Sequence, residues 1–354
     1  MMRSPRLVVL GVLAVVLAGA CGSDGAGSAS TNDVSTPGDT APTTTTAPET
    51  AATSPTTTPD AAPQSSAVDT TVPSTAAATH GNVAPRDSTY LDDYTLIDDE
   101  FGTEVTVTVS DVMRTIEANA LPNHETGRFP NADNPNTITA QNAIWEFPTV
   151  PVLTGEARFV HVPGVSVNGV KFEPATAETV VCATGETYQI EALQDVYALG
   201  FDTNNAHVQP NGEYHYHGVS QLMVESFNGT AEDLVHVGFA ADGHLIYYSK
   251  SGAYPPSYRL ETALRTGTDC QPSLRNTSPT DFQGSTPDGA YTSDWVFDPD
   301  SGVLDACNGT TIDGVYVYLI TEGYPFVSRC LMGDFAEQRP GGAPADGSPP
   351  PPRP

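Results

Sequence analysis

Residues 214–218 read Tyr-His-Tyr-His-Gly directly behind the turn sequence Pro210-Asn211-Gly212. An alternation with period two reads as an extended strand, on which two imidazoles point one way and two phenols the other. His207 lies just upstream in Asn205-Ala206-His207-Val208-Gln209. If Pro-Asn-Gly is a three-residue hairpin loop, Gln209 faces Glu213 and His207 faces His215. Directly opposed residues sit about 4.5 to 5.5 Å apart at the Cβ. His207, His215 and His217 then form one patch that a single transition-metal ion can bridge.

The surrounding patterns are also those of strands. Residues 104–109, 159–162, 165–167, 179–182 and 314–320 carry extended signals. Leu234–Ala240 and His244–Tyr248 flank Ala241-Asp242-Gly243 and predict a second hairpin with an Asp-Gly turn. Short helices are expected over Asp111–Ala120 and Glu186–Ala198. No long amphipathic helix is seen. The fold class is therefore mainly β, a sandwich-like or compact antiparallel sheet domain with long irregular loops and few short helices.

At the N-terminus Arg3 and Arg6 precede an apolar run, Leu7–Ala18, and small residues lead into Cys21. This is an export signal, and Leu17-Ala18-Gly19-Ala20-Cys21 looks like a bacterial lipobox with Ala18 where a large aliphatic residue is usual. Residues 1–21 read as signal peptide, and Cys21 as the lipid anchor that makes the membrane a partner and faces the domain outside. Residues 22–86 are almost entirely Ser, Thr, Ala, Pro, Gly and Asp. Such a tether has too little apolar surface to offset its ordering entropy. The folded domain is expected over 87–336, and a Pro/Gly-rich disordered tail over 337–354.

Cys182, Cys270, Cys307 and Cys330 remain, and an oxidising compartment favours two disulfides among them. Three pairings are possible; Cys182 with Cys270 and Cys307 with Cys330 is preferred, because the second pair would staple a short hairpin region. With 43 acidic residues against 14 Lys and Arg and a net charge of -29, the chain repels phosphate backbones, so no nucleic-acid partner is expected.

Taken together, these segments resemble the bacterial YHYH-domain proteins. The likeness rests on Tyr214–His217 and on Leu121-Pro122-Asn123-His124 with Phe129-Pro130-Asn131 and Asn134-Pro135-Asn136. It continues through Asn168-Gly169-Val170, Phe172-Glu173-Pro174, Asn204–Gly212, Leu304–Gly309 and Tyr324–Cys330. His244 departs from the resemblance, since relatives often carry an aromatic residue there. The resemblance implies a bacterial address and no reaction.

Three functional readings follow from the residues. In the first, His207, His215 and His217 bind Zn or Cu, with Glu213 on the same strand face, and His124 or His236 brought in by tertiary structure. In the second, such a metal activates water for hydrolysis, with Glu213, Asp202 or His124 as base. In the third, the histidines are a structural hydrogen-bonded cluster, and the domain captures a surface glycan or protein through loops that include Tyr247, Tyr248, Tyr254 and Tyr258. Phosphate loops, nucleophile elbows and HExxH helices are absent from the sequence.

Overall fold

The computed structural model describes residues 88–337, apart from 230, 232, 275 and 276. The expected export signal, Cys21, the expected tether and the tail beyond 337 lie outside the described residues.

A four-stranded meander runs through Tyr94–Asp98, Thr103–Val109, Met113–Ala118 and Ala143–Pro148, each strand antiparallel to the next. Val105 and Val107 alternate with exposed threonines and Glu104, so one face is apolar and the other wet. That apolar face, with Ile116, Trp145 and Phe147, shares one core with a second, eight-stranded sheet. The order of the second sheet is 206–208, 214–216, 171–172, 164–166, 234–240, 245–249, 315–320 and 309–312. Two of its pairings are parallel, Tyr216 with Phe172 and Ile246–Tyr248 with Tyr318–Ile320. The mainly β, sandwich-like class is therefore found.

A smaller core of Val180, Tyr188, Ile190, Phe282 and Tyr291 lies under the sheet formed by 271–272, 179–181 and 187–189. The Cys182–Cys270 disulfide belongs to this core, and Cys307–Cys330 ties residues beside the end strand 309–312 to the strand 330–333. The pairing preferred from the sequence is the one present.

Neither expected helix forms. Residues 113–118 are a strand, because Ser110 closes a tight turn onto Met113 and Arg114, Ile116 and Ala118 then point inward between two partner strands. Within 186–198 only Thr187–Gln189 is regular, as a strand, and the Gln194 side chain ties the backbone of Val196 and Tyr197 into a loop. The α-helix among the described residues is Gln221–Phe227. Ser220 caps it by accepting from the Met223 backbone N–H, and Met223, Val224 and Phe227 bury one stripe.

Candidate metal centre

The Pro-Asn-Gly loop closes as expected from the sequence. The Gln209 N–H donates to the Glu213 carbonyl at 3.0 Å, and His207 pairs with His215 across strands 206–208 and 214–216. Gly212 adopts φ +87°, a conformation open to glycine, and a Cβ there would meet Thr139 Oγ1 at 2.0 Å. Thr139 in turn donates its backbone N–H to the Gly212 carbonyl, so the loop is braced by a neighbouring segment.

This register collects the imidazoles. One ligand nitrogen from each of His207, His215 and His217 lies within 4.8 Å of the others, and the Nε2 atoms of His207 and His217 are 3.2 Å apart. Metal bonds of about 2.0–2.1 Å place neighbouring ligands roughly 3 to 3.5 Å apart. The His207–His217 pair already has that spacing, and the ligand nitrogen of His215 lies within 4.8 Å of both.

The hydrogen bonds assign the rings. His207 Nδ1 lies 3.1 Å from the Leu199 carbonyl and His215 Nδ1 3.2 Å from the Glu213 carbonyl. A carbonyl only accepts, so both Nδ1 atoms carry the proton and both Nε2 atoms present lone pairs to the centre. Backbone carbonyls holding the remote ring nitrogen are the usual orienting partners of metal-ligating histidines. His217 Nδ1 is buried without a partner. A proton on that atom strands a buried donor and faces two lone pairs across 3.2 Å, and a proton on Nε2 strands a buried acceptor instead. A cation at the centre relieves the lone-pair conflict.

Burial pushes all three imidazoles below their usual pKa, and pushes His215 and His217 well below it. They are therefore neutral at pH 7, the form that ligates. Phe201 stacks on His207 at 4.3 Å between centroids and meets His217 edge-on, which fixes both rings. The histidines line a cleft of about 230 Å³ with Asn134, Asn136, Glu173 and Glu178.

A partly buried polar cluster adjoins them. Lys171 Nζ lies 2.8 Å from Glu173 Oε2, 3.2 Å from Glu213 Oε2 and 3.1 Å from Gln209 Oε1. Glu173 Oε2 also accepts from Gln209 Nε2 at 2.8 Å and stands 3.9 Å from His215 Nε2. Glu213 thus serves Lys171 and does not join the ring of nitrogens, while its Oε1 is buried and unpartnered. Glu173 was visible in the sequence as part of Phe172-Glu173-Pro174. Its nearness to the histidines was not, because it depends on the parallel pairing of Phe172 with Tyr216.

His124 and Asp202 lie on the opposite, tyrosine face. His124 Nε2 is 2.6 Å from the Tyr216 hydroxyl, which also accepts from Asn168 Nδ2, and Tyr214 donates to Asp202 Oδ2 at 2.8 Å. Asp202 further accepts from the backbone of Gly127 and Asn204. The two tyrosines therefore clamp the 121–136 segment to the hairpin, and His124 and Asp202 do not reach the cleft. His236 sits elsewhere, between Ser88 Oγ and the Gly238 carbonyl. A three-histidine group that can hold a metal ion is what the structure assembles from the expected ligands.

No curated protein and no solved structure gives a significant match to the chain. The family described as YHYH protein matches residues 144–333, more than half of the 354 residues, and this span contains the hairpin, the cleft histidines and both disulfides. The chain belongs to the YHYH protein family.

Proposed function

We propose that this chain is an exported, lipid-anchored bacterial surface protein whose domain binds one transition-metal ion, Zn or Cu, through His207, His215 and His217. The observation that carries the reading is the facing of two Nε2 lone pairs at the cleft, each fixed by a carbonyl on the far side of its ring. Neutral imidazole donors suit Zn and Cu. Three such ligands leave a further coordination position open to the cleft, where a bound metal would supply Lewis acidity. Export and anchoring rest on the charged and apolar N-terminal pattern that ends at Cys21.

The full-length chain, purified without a histidine tag and dialysed, is expected to retain close to one equivalent of Zn or Cu by elemental analysis. His215→Ala and His217→Ala should lose it, and His161→Ala should keep it. Absence of metal, with a melting temperature unmoved by either ion, refutes the centre. Incorporation of labelled fatty acid that disappears in Cys21→Ser tests the anchor. A hydrolase would in addition show turnover abolished by a chelator.

A second reading, capture of a surface glycan, is favoured by another cleft of about 320 Å³ lined by Tyr248, Tyr254, Pro255, Pro256 and Glu322. Tyr248 and Gln221 both donate to Glu322 Oε1, at 2.8 and 3.0 Å, which holds a carboxylate beside aromatic faces. Tyr247 is buried and Tyr258 donates to the Ala306 carbonyl, so neither belongs to this surface. Oligosaccharide binding lost in Tyr254→Ala checks it.

A further inference from the structure

We infer that Glu173 is the fourth protein ligand of the histidine centre, so that the site offers three imidazoles and one carboxylate to a divalent first-row cation. The inference rests on the metal reading of His207, His215 and His217 and adds to it a residue that the hairpin alone does not contain.

Placement comes first. Phe172 pairs in parallel with Tyr216, and the Glu173 backbone N–H donates to the Tyr216 carbonyl at 2.9 Å. This fixes Glu173 directly beyond the strand 171–172 that runs alongside the motif, and its side chain lines the same cleft as the three rings. Its Oε2 is 3.9 Å from His215 Nε2. Neighbouring ligands of one ion stand roughly 3 to 3.5 Å apart, so about half an ångström must close toward His215, and the carboxylate must turn further in to share an ion with His207 and His217, which with His215 form the compact group. A side chain that keeps 25% of its surface exposed has room for that movement.

Orientation comes second. Lys171 Nζ and Gln209 Nε2 both hold Oε2, each at 2.8 Å. They occupy Oε2 and hold the carboxylate beside the cleft, which leaves Oε1 as the oxygen to turn toward an ion, the arrangement in which outer hydrogen bonds set a ligating carboxylate's direction.

Lys171 links Glu173 to a second carboxyl group. Lys171 is 5% exposed and Glu213 2% exposed, and this single ammonium faces the carboxylates of both Glu173 and Glu213. Glu213 Oε1 has no partner although it is buried. A buried polar atom left without a partner is costly.

The donor set has a consequence for the site. Four protein ligands close a tetrahedral ion, whereas a five- or six-coordinate ion keeps positions turned to the cleft. The spectrum of a bound probe ion separates the two.

The test uses the full-length chain, stripped by chelator, with Co(II) and Cu(II) as probes. Glu173→Gln should weaken Co(II) binding by about tenfold or more and move both the d–d absorption and the Cu(II) electron paramagnetic resonance parameters. Glu173→Asp should recover part of the affinity with a spectrum of its own. Glu156→Gln, on an exposed strand away from the cleft, controls for loss of charge. Should Glu173→Gln keep the affinity and spectra of the unaltered chain while His217→Ala fails to bind, the histidines act alone and Glu173 is not a ligand. If Glu173→Gln does not fold by circular dichroism, a Glu173→Asp spectrum identical to that of the unaltered chain overturns the assignment equally. An unaltered chain that binds neither probe removes the centre itself, and Glu173 with it.

Discussion

His236 couples the stability of this domain to pH with a sign and size that can be worked out. Its Nε2–H donates to the Gly238 carbonyl at 2.9 Å, so its Nδ1 accepts from the Ser88 hydroxyl at 2.6 Å. Burial, reinforced by the charge of Arg114 and opposed by the Gly238 carbonyl, lowers its pKa from 6.5 to about 3. Between these two values the unfolded chain binds the proton and the folded chain does not, so stability falls as the medium is acidified. The contribution is fully present above pH 6.5 and is lost progressively down to about pH 3. One pH unit of separation is worth about 1.4 kcal/mol, so the gap amounts to about 5 kcal/mol. His236→Gln retains a donor and an acceptor but no titration. Urea unfolding, followed by tryptophan fluorescence at pH 6, 5 and 4, should show the unaltered chain losing about 1.4 kcal/mol more per pH unit than the variant. The cleft histidines and His124 titrate in both proteins and cancel in the difference. Parallel curves would refute the assignment of a neutral, desolvated ring to this position.

Other consequences follow from single contacts. Tyr216→Phe removes the hydroxyl that joins His124 to Asn168, and should cost about 1 to 3 kcal/mol in urea unfolding while metal affinity stays unchanged. Gly212→Ala places a Cβ 2.0 Å from Thr139 Oγ1 at φ +87°; it should destabilise the domain by about 1 to 3 kcal/mol and weaken metal retention by disturbing the hairpin register. Replacing both Cys182 and Cys270 by Ser opens a link across 88 residues and should cost about 4 to 5 kcal/mol, more than the roughly 3.5 kcal/mol expected for the 23-residue link from Cys307 to Cys330, as read from denaturant midpoints.

The hairpin was legible because its determinants are local. Alternation at 214–217 places the histidines on one face, and Pro210-Asn211-Gly212 sets the loop length that brings His207 opposite His215. The Asp-Gly turn between residues 240 and 245 was readable for the same reason. Residues 111–120 misled, because six alternating positions between two partner strands outweigh a short helical pattern. The helix at 221–227 left a signal that was passed over, Ser220 ahead of Met223, Val224 and Phe227.

From residue order alone came the strand class, the three gathered imidazoles and the family likeness, since periodicity and turn chemistry act over a few residues. Tertiary structure decided which groups surround those imidazoles. It brought Glu173 and Lys171 to them by a parallel pairing between segments some forty residues apart, stacked Phe201 on His207, and sent His124 and Asp202 to the tyrosine face. Such neighbours are selected by packing and desolvation across the whole sheet, and no local pattern encodes them.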